Sequence, residues 1–468
     1  MIRTSRQLRN LLLSAGDIIL LYFSLWLTLK LRYGGSFDPQ LWGQHVGAFT
    51  VVFAAWLIIF AVSGLYDVGS SGGRTQLAFR IAGALAVAGI IAATYFYLGY
   101  NRLFTLRPQI VLAIVLVISY LGMFLWRILF LAALRSPRLS RRVLFVGSHQ
   151  IIPELIAELH KKPQLGFFPV AWLQANGEPS AQHIDISKFQ NINLPTYRDL
   201  AQLREICQRY QVDLIVSGIS PRHHENLLRE LLSCLPLHVD FSDLSKFYER
   251  VTGKVPVDAI EHVWFLENLQ EGTKRPYELI KRILDMVLSV VLLILTFPLI
   301  PLLYLLVKLT SPGRFLFTQV RVGQAGRKFR AMKIRTMTVD AEKHGPQWSA
   351  KGDLRVTPVG KVLRKIRVDE IPQLYNILRG EMSLIGPRPE RPEFIEELKR
   401  EIPFYEERLL VKPGLTGWAQ VSLPYGASVE YSLEKLQYDL YYIKNRTLGL
   451  DLSIGLRTIG TILSRSGR

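Results

Sequence analysis

The sequence predicts a membrane protein in three parts. These are an N-terminal four-helix transmembrane bundle over residues 1–138, a middle Rossmann-like α/β domain over 139–270, and a C-terminal, mostly α domain over 271–468 with a re-entrant membrane helix. Three observations carry this. Four apolar runs near the length of a bilayer span come first, at about 11–31, 47–66, 77–98 and 109–133. Short apolar strands then alternate with helical patterns over 140–265. A fifth apolar run, 283–307, is interrupted by Pro298 and Pro301 and has basic residues on both sides.

The bulk properties agree. Of 468 residues, 49% are hydrophobic, high for a soluble chain, and the length suggests about three domains. The net charge of +19, beside so much apolar sequence, points to anionic lipid headgroups and phosphate-bearing substrates. No nucleic-acid partner is expected, because the chain has neither zinc-finger spacing nor an RNA-binding signature. The two cysteines, Cys207 and Cys234, exclude a disulfide framework and a cysteine-based metal site, and suit a reducing cytosol.

The first apolar run lacks a small-residue cleavage site and reads as an anchor. Arg3, Arg6 and Arg9 precede it; Arg135, Arg138, Arg141 and Arg142 follow the fourth run. The excess of positive charge at both ends, with an even number of spans, places both ends in the cytoplasm. Asp17, inside the first run, reads as a helix-facing or interfacial carboxylate.

In the middle part, RRVLFVGSHQ (141–150) begins as a buried strand running into a turn. Helices are expected at 153–161, 198–210 and 223–235, and strands at 169–174, VDLIVSG (212–218) and HVDFS (238–242). A dinucleotide fingerprint would need glycines at the second and fifth positions after Gly147, where His149 and Ile152 stand. Without them the backbone cannot approach a pyrophosphate closely. This domain is therefore read as regulatory or oligomerising, through a homodimer, with no redox cofactor.

In the fifth run each proline removes a backbone donor and clashes with the preceding turn. Lys274, Arg275, Lys281 and Arg282 precede it, and from Lys308 to Arg367 about fifteen Lys/Arg face three acids, Asp340, Glu342 and Asp353. A spanning helix would put one basic flank outside, against the positive-inside bias; a helix that breaks at Pro298 and returns keeps both inside. A buried soluble helix pair is the alternative.

TPVGKVLRKIR (357–367) has an N-cap in Thr357, a first-turn proline in Pro358, and one apolar face of Val359, Val362, Leu363 and Ile366. With its basic remainder it suits a helix in a headgroup layer, or equally a basic face over a core. Asp369 and Glu370 follow. Ile371, Leu374 and Leu378 repeat at helical spacing and Gly380 is a stop, so a helix is expected to begin near Asp369, with Pro372 in its first turn. The helix end, with Arg364 and Arg367, should lower both carboxyl pKa values. Such a carboxylate can be a cap and nothing more. It also suits attack on a phosphate whose oxygens the arginines and helix end hold, with the adjacent acid on Mg2+.

The surrounding motifs favour the second reading. KFRAMKIRTM (328–337), RVTPVGKVLRKIRVDEIPQLYNILRGEMSLIGPRPE (355–390), LVKPGLTGWAQV (410–421) and LEKLQYDLYYIKN (433–445) together resemble the bacterial sugar transferase family, the monotopic polyprenyl-phosphate phosphoglycosyl transferases. KRILD (281–285) and the proline-broken run resemble that family's membrane anchor, and the likeness covers about 274–468. Four spans and an α/β domain ahead of it resemble the long members that initiate exopolysaccharide, capsule or O-antigen repeats.

The resemblance implies that Asp369 is the nucleophile and Glu370 the Mg2+-associated acid. It implies attack on a UDP-sugar, release of UMP and transfer of the sugar 1-phosphate from a phosphosugar-aspartyl intermediate to polyprenyl (undecaprenyl) phosphate. Lys333 and Arg364 match phosphate-contacting cations. Arg388 in GPRP and Asp439 in QYDLYY match two further active-site positions, and Lys412 in VKPG lies in a substrate loop. The resemblance also implies the bacterial inner membrane, with the α/β and catalytic domains facing the cytoplasm among inner-membrane lipids.

The chain departs from the family twice. Phe297-Pro298 stands where many members have Ser-Pro, and SLPYGAS (422–428) where many have Asn-Gly and a basic residue. Two rival functions are weaker. A membrane-anchored nucleotide-sugar dehydratase or epimerase needs an intact glycine fingerprint and a Tyr-x-x-x-Lys pair; Tyr277 and Lys281 have the spacing but lie outside the α/β domain. A polysaccharide chain-length regulator needs a large extracytoplasmic domain, for which the loops are too short.

Overall fold

The computed structural model describes residues 6–34, 38–66, 74–99, 109–134, 140–174, 194–220, 224–260, 262–269, 274–338, 341, 353, 355–424, 426 and 428–463. Arg3, Arg135, Arg138, Asp340 and Glu342, used in the charge arguments above, lie outside them. The chain divides into two compact units, Met1–Gly253 and Lys254–Arg468.

The first unit opens with four helices, α1 (Arg6–Tyr33), α2 (Pro39–Val62), α3 (Arg74–Gly99) and α4 (Gln109–Leu134), each long and apolar enough to cross a membrane. Asp38 starts α2 by accepting the Leu41 N–H at 2.7 Å, with Pro39 in the first turn. Helix α1 packs on α2 and α4, and α3 on α2 and α4, around Leu21, Leu25, Phe49, Phe53, Trp56, Ile81 and Val115. Asp17 is buried and forms a forked ion pair with Arg127 of α4, at 2.7 and 2.8 Å. Its role here is to tie two helices, since an unpaired charge could not be buried so deeply.

The α/β part contains β1 (Arg141–Val146), α5 (Ile151–Lys161), β2 (Phe167–Leu173), β3 (Thr196–Tyr197), α6 (Leu203–Tyr210), β4 (Leu214–Ser217), α7 (Glu225–Ser233), β5 (Asp240–Asp243) and α8 (Leu244–Thr252). The strands make one all-parallel sheet in the order β3-β2-β1-β4-β5. Winding reverses between β1 and β4, where such sheets open a ligand crevice. Gly147 ends β1 at φ +114°, and its carbonyl accepts the Trp172 indole N–H at 2.8 Å. A Cβ at Gly147 would stand 3.2 Å from Ile219 Cγ1, and one at Gly218 would stand 3.1 Å from Leu244 Cδ2, so apolar side chains crowd the crevice. The two cysteines, 27 positions apart, are free thiols whose sulfurs come within 4.0 Å in the core between α6 and α7.

In the second unit Val255, Val257 and Ile260, which the sequence reading grouped with the α/β domain, join a core with Leu398, Tyr405, Leu436, Leu440 and Ile443. After α9 (His262–Asn268), α10 (Arg275–Thr296) and α11 (Ile300–Thr310) meet at one turn of 3-10 helix, Phe297–Leu299, beside Pro298. A hairpin of β6 (Leu316–Val322) and β7 (Lys328–Ile334) leads to α12 (Pro358–Lys365), α13 (Gln373–Leu378) and β8 (Ser383–Ile385). Then come α14 (Pro392–Glu401), β9 (Gly414–Thr416), α15 (Trp418–Ser422), α16 (Val429–Asn445) and α17 (Leu448–Leu463), with β8 and β9 paired in parallel.

The KRILD segment clamps α10 to this unit. Lys281 Nζ meets Asp451 at 2.6 Å, Arg282 donates to the Ile377 and Leu378 carbonyls that end α13, and Asp285 accepts the Leu384 N–H. On the other arm, Leu303 and Val307 of α11 pack with Ile334 and Leu363. Between these anchors Ile294, Leu295 and Phe297 are exposed.

Candidate active site

Thr357 caps α12 as its sequence suggests, accepting the Gly360 N–H at 3.0 Å. Gly360 is required there, because a Cβ would fall 2.1 Å from the Thr336 carbonyl oxygen. The helix presses Leu363 into the core shared with α11 and leaves Val362 and Ile366 exposed. It stops at Arg367, whose φ of +57° is left-handed, and this turns the chain inward.

Asp369 and Glu370 therefore do not begin an α-helix. Val368–Glu370 form a turn of 3-10 helix, and α13 starts only at Gln373, with Pro372 just before its first turn. Gly380, at φ +80°, ends it as expected. Six residues of α-helix give a weak dipole, so side chains set most of the field at the dyad.

Both carboxylates are buried at 6% exposure, yet their surroundings differ. Glu370 Oε1 accepts from Arg388 at 2.7 Å and from Lys333 at 3.0 Å, and Oε2 lies 3.7 Å from Arg367. Asp369 accepts no hydrogen bond from any described residue. Their ionisation follows. Burial opposes the charge of Glu370, but Arg388, Lys333 and Arg367 together outweigh it and hold this carboxyl well below the usual range. Burial raises Asp369, against the pull of Lys333, Arg364 and Arg388. The expectation that both would be lowered is thus corrected for Asp369, which has charges nearby and no donor in contact.

The other sequence-predicted residues fall at different distances from this centre. Lys333 and Arg388 touch Glu370. Arg364 donates from Nε to Thr336 Oγ1 at 2.8 Å and acts on Asp369 through its charge. Lys412 is lowered by burial, and its charged neighbours are Arg282, Asp285 and Glu278 on α10. Asp439, far from exposed, is buried at 1% and bonds Arg408 at 2.8 Å. Pro298 stands at the break between α10 and α11.

The KPGLTG segment has a structural task. A Cβ on Gly414 would fall 2.1 Å from Gly386 N, and one on Gly417 would fall 2.2 Å from Gly386 O. These glycines let β9 lie against the loop that carries Arg388. Sequence reading missed a second layer of charge behind that loop, in which Glu390 gathers Lys435, Arg321 at 3.6 Å and Arg408 at 3.9 Å. No spacing signal marks it, since its members come from β6, two loops and α16.

Among the described residues no three His, Cys, Asp or Glu side chains converge on a metal position. The dyad alone offers two carboxylates, with Glu370 Oε2 only loosely engaged. That donor set fits a hard divalent cation which keeps waters and takes substrate phosphate oxygens as further ligands.

Comparison with known proteins decides the family. The family model described as bacterial sugar transferase matches residues 276–465, and one described as a CoA-binding domain matches 61–240. The undecaprenyl-phosphate galactose phosphotransferase of Salmonella typhimurium is 36% identical over 358 residues, covering 70% of this chain and 69% of that protein. The chain belongs to the bacterial sugar transferase family.

Two more of these transferases show the range. The UDP-glucose:undecaprenyl-phosphate glucose-1-phosphate transferase of Xanthomonas campestris pv. campestris is 32% identical over 340 residues, 69% of this chain and 67% of its own length. The UDP-N-acetylgalactosamine-undecaprenyl-phosphate N-acetylgalactosaminephosphotransferase of Aeromonas hydrophila is 44% identical over 242 residues, 51% of this chain. The chain spans about half, 56%, of that protein's length.

Proposed function

We propose that this sugar transferase is an undecaprenyl-phosphate sugar phosphotransferase that moves a sugar 1-phosphate from a UDP-sugar to the lipid phosphate through Asp369. The observation that carries the reading is the asymmetry of the dyad. Glu370 is saturated by cations, while Asp369 is ringed by positive charge and held by no hydrogen bond. A carboxylate so placed is available as a nucleophile, and its raised pKa is the sign of incomplete solvation.

In the first step an Asp369 oxygen bonds to the β-phosphorus as the bond from that phosphorus to the bridging oxygen breaks. UMP leaves with that electron pair. In the second, a polyprenyl phosphate oxygen attacks the aspartyl phosphate, the phosphorus–Asp369 bond breaks, and the carboxylate returns. Lys333, Arg364 and Arg388 provide the positive field for the phosphoryl oxygens. Mg2+ would sit between Glu370 and the diphosphate and neutralise part of its charge.

The same reading places α10–α11 in one leaflet of a bacterial inner membrane. Its two ends are bound to neighbouring parts of one unit, α10 to α13 through Arg282 and α11 to α12 through Leu363. Exposed Val362 and Ile366 beside Lys361 and Lys365 suit a headgroup layer, where a polyprenyl phosphate presents its charge. The dyad would then face the cytoplasm, and the product would prime exopolysaccharide, capsule or O-antigen repeats. The α/β domain is read as regulatory or dimer-forming, because Ile219 and Leu244 crowd its crevice.

The test is purified full-length protein with Mg2+, undecaprenyl phosphate and a panel of UDP-glucose, UDP-galactose and UDP-N-acetyl sugars. Release of UMP with a lipid diphosphate sugar supports the proposal. UDP-sugar consumed without UMP would favour a dehydratase or epimerase, and no turnover of any sugar a chain-length regulator.

A further inference from the structure

The loop that carries Arg388 is held by its carbonyls. Within GPRPE (386–390) the prolines donate nothing, yet four successive carbonyls each accept a bond. Pro387 O takes Gly414 N–H at 2.8 Å and Glu390 O takes Val322 N–H at 3.0 Å. Arg388 O takes Arg408 Nη2 at 2.9 Å and Pro389 O takes Arg321 Nη1 at 3.0 Å. Arg408 is the buried member of the two arginines, its side chain 3% exposed. The nitrogen that holds Arg388 O also donates to Asp439 Oδ2 at 2.8 Å, while Nη1 donates to the Tyr405 hydroxyl at 2.7 Å. A guanidinium is tolerated at such depth only when its charge and donors are matched, and Asp439, Tyr405 and Glu390 do so.

We infer that Arg408 is a positioning residue for phosphosugar transfer: through the Arg388 main chain, with Asp439 as its counter-ion, it aims the Arg388 guanidinium at Glu370. This rests on the dyad being the transferase site. It also gives Asp439 a task without substrate contact, since its carboxylate reaches the reacting groups only through Arg408 and the Arg388 backbone.

The test is a double-mutant cycle on the full-length protein, read as kcat and KM for UMP release with the UDP-sugar turned over fastest in the panel above. Arg408→Lys keeps the charge but cannot serve both Asp439 and the Arg388 carbonyl from one fork. It should lower kcat/KM by about 10- to 100-fold, the scale of an ångström-sized misplacement. Arg388→Lys should lower it at least as much. If Arg408 works through Arg388, the double variant falls within about twofold of Arg388→Lys alone. Losses that multiply would overturn the inference, as would a wild-type kcat/KM in Arg408→Lys. A role in folding alone would reduce active protein at unchanged KM, whereas positioning raises KM for the UDP-sugar while kcat falls. Should Arg408→Lys not fold, Asp439→Asn enters the cycle in its place, with the same outcomes. Asp369→Asn in the same assay tests the transferase reading separately: unaltered UMP release there removes that reading, while multiplicative losses remove only the positioning role.

Discussion

Adjacent amide substitutions at the dyad should have opposite effects on stability. In Glu370→Gln the buried carboxylate that accepts from Arg388 at 2.7 Å and Lys333 at 3.0 Å loses its charge, and two cations face each other unpaired. Hydrogen bonds to charged groups contribute about 1.5–3 kcal/mol each, and breaking a buried pair costs about 3–5 kcal/mol, so about 4 kcal/mol is expected. For a unit of this size, each kcal/mol moves the melting point by about 2–4 °C, which gives a drop of about 10 °C. Asp369→Asn removes a charge that no hydrogen bond supports and that burial disfavours. A carboxyl whose folded pKa is raised costs stability once ionised, so the Asn variant should melt at or above the wild-type temperature. It should nevertheless lose at least about a thousandfold in turnover, the scale of a removed nucleophile. Tryptophan-fluorescence melting of the detergent-solubilised chain, with UMP release on the same samples, gives both quantities. Equal melting shifts for the two variants, or a larger drop for Asp369→Asn, would refute the asymmetry on which the reading of Asp369 rests.

Other consequences can be measured independently. Burial works against the Glu390 charge, but Lys435, Arg408 and Arg321 prevail and bring its pKa to about 2 from 4.5. A lowered folded pKa supplies stability that is full above 4.5 and is lost as pH falls toward 2, about 3 kcal/mol at one pKa unit per 1.36 kcal/mol. The melting points of wild type and Glu390→Gln should therefore converge between pH 5 and pH 3; a constant gap would contradict the shift. Replacing Pro298 and Pro301 together with Leu should restore a continuous apolar helix of about 25 residues, enough to span, and give mixed topologies with lost activity. A single cysteine at Glu397, in a background without Cys207 and Cys234, reports this through an impermeant thiol reagent on intact cells. Labelling in the otherwise wild-type frame would exclude the re-entrant arrangement. The full-length protein should bind no NAD at micromolar concentration, because His149 and Ile152 replace fingerprint glycines and Ile219 crowds the crevice; calorimetry showing such binding would reverse that reading.

Much of the fold was legible because its signals are local. Apolar runs, the strand–helix alternation, the Thr357 cap and the Gly380 stop each lie within one segment, and each stands where expected. What escaped depends on partners distant in sequence. Strand β3 is two residues long and is fixed by pairing with β2, so it leaves no periodicity to read. The start of the dyad helix was misplaced because Arg367 adopts a left-handed conformation that tertiary contacts impose and composition does not show. The Asp369 pKa reversed for the same reason: nearby arginines are visible in the sequence, but burial without a donor is not. Asp439 looked exposed from its helical position, yet Arg408, 31 residues earlier, draws it into the core.

The central claim is that Asp369 carries the phosphosugar between donor and acceptor, and one exchange experiment addresses it most directly. Purified protein is incubated with UDP-sugar, Mg2+ and labelled UMP, with no polyprenyl phosphate present. A covalent intermediate makes the first half-reaction reversible on its own, so label should enter UDP-sugar with wild-type protein and not with Asp369→Asn. Turnover restored by adding lipid to a wild-type preparation that shows no exchange would mean direct transfer in a ternary complex, and would contradict the account.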